Sequence, residues 1–129
     1  MASTLDKDGP RLGIDLDGCI DEHPVFFSNL TRCWPGDVHV ISFRDDRGKA
    51  EADLRNRGIR WDHLTLVSSF DAKAAVIREM GIDVYFDDQP EMLKNVAPEC
   101  AVMLVRNEGN FDFEDKLWMF SRRTGKIVA

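Results

Sequence analysis

Asp15 and Asp17 flank a single leucine in the stretch GIDLDGCID, residues 13–21. Ile14, Leu16 and Ile20 around them are apolar, so two carboxylates close a run that otherwise reads as core. Neighbouring carboxylates raise each other's pKa unless a cation sits among them. A carboxylate can also act as a nucleophile and take up a phosphoryl group. A second carboxyl two residues along can protonate the leaving oxygen and then deprotonate the attacking water. On that chemistry Asp15 attacks and Asp17 is acid and base, while Gly18 lets the chain turn sharply.

Other residues suited to the same chemistry follow in order: Ser42, Phe43 and Arg44, then Lys73, then Asp87 and Asp88. Mg2+ is the fitting cation, because it takes oxygen ligands, keeps several waters and usually binds one or two carboxylates plus a substrate phosphate. The metal-ligand candidates are Asp15, Asp17, Asp87 and Asp88. The phosphate-binding candidates are Ser42, Phe43 and Lys73, helped by backbone N–H groups after Asp15. Together they form a clamp for the charge on a transferring phosphoryl group.

The elements that must position these residues are short. Apolar runs at 12–16, 38–42, 64–68, 83–86 and 101–105 read as strands. Amphipathic stretches between them read as helices: Pro24 to Cys33, Asp45 to Arg57, and Ala72 to Met80 with Asp71 as its N-cap. A short helix is expected over Pro90 to Val96, and another around Glu114 to Ser121. Regular alternation predicts an α/β, three-layer Rossmann-like fold with a parallel sheet of about five strands. In such sheets ligands collect at the carboxyl ends of the strands, where Asp15, Ser42 and Asp87 fall.

The 129 residues predict one domain over 1–129, with residues 1–10 flexible. A net charge of −6 argues against broad nucleic-acid binding, which needs a basic face, and leaves nucleic acid only as an end substrate. Three widely spaced cysteines, with no CxxC, argue against a disulfide scaffold or zinc site and for a reducing cytoplasm. No apolar run approaches a membrane span, and the N-terminal stretch lacks the apolar region of a signal peptide.

DLDG at 15–18, VISFR at 40–44, Lys73 in FDAKAAV and VYFDDQPE at 84–91 resemble, in order, the four motifs of the haloacid dehalogenase-like hydrolases. The resemblance spans about residues 12–105. It implies a Mg2+-dependent phosphatase with Asp15 as nucleophile and metal ligand. It implies Asp17 as general acid/base that also gives the metal its backbone carbonyl. Ser42 and Lys73 would hold the phosphate, and Asp87 or Asp88 would complete the metal site. Cys19 departs from the Thr or Val commoner at its position and reads as a small filler. The intervals 17–38 and 42–73 leave no room for the cap domain many relatives carry. An open site suits a large phosphorylated substrate, or a homodimer whose partner covers it.

The alternative is a catalytically silent phosphate-binding or scaffold module with the same fold. A phosphotransferase that passes the group to an alcohol is a further rival. A receiver domain is excluded by order, since its acceptor Asp ends the third strand and its Lys follows the fifth. Arg44 reads as the partner of Asp45 or Asp46. His23, His39 and His63 show no ligand spacing and read as structural or surface residues. Trp118 and Phe120 read as closing the core, with Arg122 and Arg123 solvated.

Overall fold

The computed structural model describes residues 9–89, 95–105, 111–112 and 117–118. Five strands, β1 (Leu12–Asp15), β2 (Val38–Ser42), β3 (His63–Leu66), β4 (Val84–Asp87) and β5 (Ala101–Leu104), form one parallel sheet in the order β3-β2-β1-β4-β5. Helices α1 (Pro24–Cys33), α2 (Arg47–Asn56) and α3 (Phe70–Glu79) make the crossovers. This is an α/β, Rossmann-like arrangement, and no cap is inserted between β1 and β2 or between β2 and α3.

Alternation along the strands separates two cores. Leu12, Ile14, Val38, Val40 and Leu64 pack with Phe27 of α1 and with Ala50 and Leu54 of α2. Ile41 and Tyr85 pack on the other face with Ile77 of α3 and with Ile82. The chain lays β1, β2 and β3 side by side, then returns through α3 to place β4 on the far side of β1. Strand order therefore reverses at β1, and the crevice between the carboxyl ends of β1 and β4 is where such sheets bind ligands.

Local chemistry explains the helix ends. Pro24 occupies the first turn of α1, where its missing N–H costs nothing. Asp46 caps α2 by accepting from the Lys49 N–H at 3.0 Å. For α3 the cap is Ser69, not Asp71: its Oγ accepts from the Ala72 N–H at 3.0 Å. Asp71 lies within the first turn instead, where a carboxylate still favours the helix dipole.

Most of the helix expected over 90–96 lies outside the described residues, as does most of the C-terminal segment. Where that segment is described it is strand rather than helix. Phe111–Asp112 (β6) pairs antiparallel with Leu117–Trp118 (β7), in keeping with the β preference of aromatic residues. The roles read for Phe120, Arg122 and Arg123, and the side chain of Trp118, fall outside the described residues. No described helix is long and apolar enough to cross a membrane.

Candidate active site

Asp15 and Asp87 end neighbouring strands. The register pairs Gly13 with Tyr85 and Ile14 with Phe86, which brings Asp15 and Asp87 together one step further along. Lys73, four residues after the α3 cap, reaches between them. Its Nζ donates to Asp15 Oδ1 at 2.9 Å and to Asp87 Oδ2 at 2.9 Å. The lysine side chain is 0% exposed.

Tyr85, two residues before Asp87 and so on the same face, donates its hydroxyl proton to Asp87 Oδ2 at 2.6 Å. Its ring needs bare backbone beside it, since a Cβ on Gly13 would lie 2.8 Å from Tyr85 Cδ1. The Gln89 N–H donates to Asp87 Oδ1 at 2.9 Å. Asp87 is thus committed to three donors within the protein.

Asp88 stands beside Asp15 as well. Asp15, Cys19 and Asp88 place one potential ligand atom each within 4.8 Å of one another, and all three are buried. Gly18 has φ +89°, and a Cβ there would lie 2.2 Å from Asp88 Oδ2, so only glycine admits this approach. Between Asp87 and Asp88, the choice the sequence left open, it is Asp88 that groups with Asp15. Cys19, read as a filler, stands in that group; its signal was adjacency to the turn.

Electrostatics follow from burial. Burial pushes the Asp15 carboxyl well up, and Asp87 and Asp88 add to this while Lys73 opposes it. Burial, reinforced by Asp87, pushes Asp88 up to about 6. Burial alone would lower Lys73, but Asp15 and Asp87 outweigh it and hold the ammonium above its usual value. Burial raises the Cys19 thiol and the Tyr85 phenol as well. Three buried carboxyl groups, Asp15, Asp87 and Asp88, share one buried ammonium, so ionising all three calls for further positive charge. The hard oxygen donors of Asp15 and Asp88 fit a divalent cation such as Mg2+.

Asp17 lies apart from this cluster. Its side chain is 52% exposed and held by Arg44. Arg44 Nη2 donates to Asp17 Oδ1 at 2.8 Å and Nε to Oδ2 at 3.0 Å, while Nη1 pairs with Asp53 of α2. These two carboxylates raise the Arg44 pKa. Arg44 therefore does not pair with Asp45 or Asp46 as its neighbours in sequence suggested. Asp17 is 27 residues away and Asp53 nine, separations that only the fold closes.

Ser42 is fully buried, and its Oγ accepts from the Arg44 N–H at 3.2 Å. Phe43 is partly exposed, with Lys73 Nζ 4.7 Å from its ring centroid. A cleft of about 720 Å³ opens here, lined by Asp17, Phe43, Arg44, Lys49 and Ser68 together with Asp45 and Asp46. Lys49 and Ser68 carried no signal in sequence; the α2 cap and the end of β3 bring them in.

Comparison of the chain with protein-family models, with curated proteins and with solved structures returns no match.

Proposed function

We propose that this chain hydrolyses a phosphomonoester through an aspartyl-phosphate, as a haloacid dehalogenase-like phosphatase. The observation that carries the reading is the buried Asp15–Lys73–Asp87 bridge at the crevice where strand order reverses, with Asp88 beside it. The ammonium fixed there faces two carboxylates, and of these Asp15 is the one that also groups with Asp88. Asp15, Asp88 and the backbone carbonyl of Asp17 would hold Mg2+. When bound, the ion supplies positive charge to the phosphoryl oxygens and offsets the carboxylates.

An Asp15 carboxylate oxygen attacks phosphorus, and the bond from phosphorus to the ester oxygen breaks. Once a substrate phosphate draws Arg44 away, Asp17 would take up a proton from solvent and pass it to the leaving oxygen. Asp17, now ionised, takes a proton from water, whose oxygen attacks phosphorus and releases inorganic phosphate and the Asp15 carboxylate. Lys73 holds the charge of the transferring group throughout, and Ser42 and the N–H groups of the turn after β1 bind its remaining oxygens. Arg44 keeps Asp17 at the cleft until a substrate phosphate competes for the guanidinium. The uncapped cleft suits a phosphate on a large molecule.

One observation favours a second reading. Arg44 takes up the carboxylate assigned to acid/base work, as a phosphate-binding module without turnover would allow. The two readings separate on phosphate release from aryl phosphate, nucleotides, sugar phosphates, phosphopeptides and phosphorylated DNA ends, with and without Mg2+. The phosphatase releases phosphate only with Mg2+ and loses release in Asp15→Asn. Mg2+-dependent phosphate binding with no release from any substrate supports the module. Detection of a phosphorylated alcohol in place of free phosphate supports a phosphotransferase.

A further inference from the structure

The opposite end of the sheet carries a second cluster. His39 is the second residue of β2, and the register sets it beside His63, the first residue of the edge strand β3. Their rings stack with centroids 4.4 Å apart and planes 22° from parallel. Asp37, just before β2, adds a carboxylate whose Oδ2 lies 3.5 Å from His63 Nε2. One donor atom from each of Asp37, His39 and His63 lies within 4.8 Å of the other two. In sequence the two histidines are 24 positions apart, which hid the pairing; parallel register creates it.

His39 supplies the independent observation. Its residue is 3% exposed, yet neither ring nitrogen has a hydrogen-bond partner. A buried polar atom without a partner costs on the order of 1–3 kcal/mol. An imidazole kept for packing alone would be better replaced by an apolar side chain of like size. A buried ring nitrogen without a partner, within 4.8 Å of a donor atom of a second imidazole and of a carboxylate, has a use in metal ligation.

We infer that Asp37, His39 and His63 form a binding site for a Zn2+-class transition metal. The donor set is two imidazole nitrogens and one carboxylate oxygen, which suits Zn2+ rather than the oxygen-seeking Mg2+ of the other edge. Tetrahedral bonds of about 2.0–2.1 Å place donors roughly 3.4 Å apart, so the cluster must draw in by up to about 1.4 Å and the stacked rings must turn until their lone pairs converge. His63 can supply that movement, since its side chain is 49% exposed. Arg11 is the cation that opposes the ion here, and Asp62 joins Asp37 in favouring it. Three protein donors leave a fourth position for water. The bound ion would pin the edge strand to its neighbour, and it stands independently of the phosphatase reading.

The test is calorimetric titration of ZnCl2 into the full chain at saturating Mg2+, in a Cys33→Ser background that removes the exposed thiol. One Zn2+ per chain is expected. His63→Ala and His39→Leu should each weaken it by more than about tenfold, since even outer partners of a ligand are worth roughly 10–100-fold. Asp15→Asn with Asp88→Asn should leave it unchanged. His63→Ala alters a half-exposed residue, so its fold, checked by circular dichroism, is retained. Absence of Zn2+ binding, binding that survives His63→Ala, or loss in an Asp15/Asp88 variant that circular dichroism shows to be folded would each overturn the site.

Discussion

Lys73 and Asp15 meet across 2.9 Å although 58 residues separate them, and both side chains are withdrawn from solvent. Neither charge is tolerable there alone. Removing one partner of a buried pair leaves the other uncompensated, at a cost of about 3–5 kcal/mol.

Lys73→Met should therefore destabilise the fold by roughly that amount near pH 7. The loss should shrink in acid, because Asp15, whose pKa burial already raises, can then take up a proton instead. Urea midpoints at neutral and acid pH measure it. A neutral-pH loss below about 1 kcal/mol would show that the ammonium does not balance the pair.

Two groups tilt stability in opposite directions with pH. Burial, aided by Asp87, sets Asp88 at about 6, while the unfolded chain releases that proton near 4. The native state holds the extra proton between those values, so this contribution falls as pH rises through them, by at most roughly 3 kcal/mol. Burial, aided by His63, sets His39 at about 4, while the unfolded imidazole titrates near 6.5. The unfolded state holds that extra proton, so this contribution rises with pH over the same window. In metal-free wild type these two contributions oppose each other between about pH 4 and 6. Asp88→Asn should gain stability with rising pH, and His39→Leu should lose it. Parallel profiles for the three proteins would contradict both assignments.

Gly18→Ala acts at the turn after β1. A left-handed backbone costs about 1–2 kcal/mol once a Cβ is present. The new methyl also meets Asp88 Oδ2, which must move away from Asp15. The Mg2+ concentration that gives half of the thermal stabilisation should rise more than about tenfold. An unchanged Mg2+ response would separate Asp88 from the cation.

Arg44→Ala breaks two ion pairs at the cleft mouth. Asp17 is half exposed, so the stability change should stay within about 1 kcal/mol. On the phosphatase reading turnover should fall by at least about tenfold, because Asp17 is no longer held at the cleft when substrate arrives. Paired melts and phosphate-release rates distinguish the two effects. Wild-type turnover in this variant would remove Arg44 from the reaction.

Much of the fold was legible because its strands are short apolar runs bounded by Gly, Pro and Asp. Pro24 marked the start of α1, and Val38–Ser42 reads the same in sequence and structure. The first turn of α3 was less so, since Ser69 and Asp71 are both good caps and only geometry selects the serine. At the site, Asp15, Lys73 and Asp87 come together because strand ends and a helix start have fixed places in this topology. Tyr85 could have been found from period two, being one residue short of Phe86 and two short of Asp87. The Arg44–Asp53 pair and the His39–His63 stack were out of reach, because charge and ring partners across elements depend on register and helix rotation.

The central place of β1 has a consequence for synthesis. The strand that carries Asp15 leaves the ribosome first, yet one of its neighbours, β4, follows some seventy residues later. Until then β2 and β3 can zip onto one edge of β1, while the other edge stays open and Asp15 remains in water. The ammonium of Lys73 emerges before Asp87, so the nascent chain gains its balancing cation ahead of the carboxylate that locks it. The buried Asp15–Lys73–Asp87 bridge is therefore completed only once β4 has docked against β1.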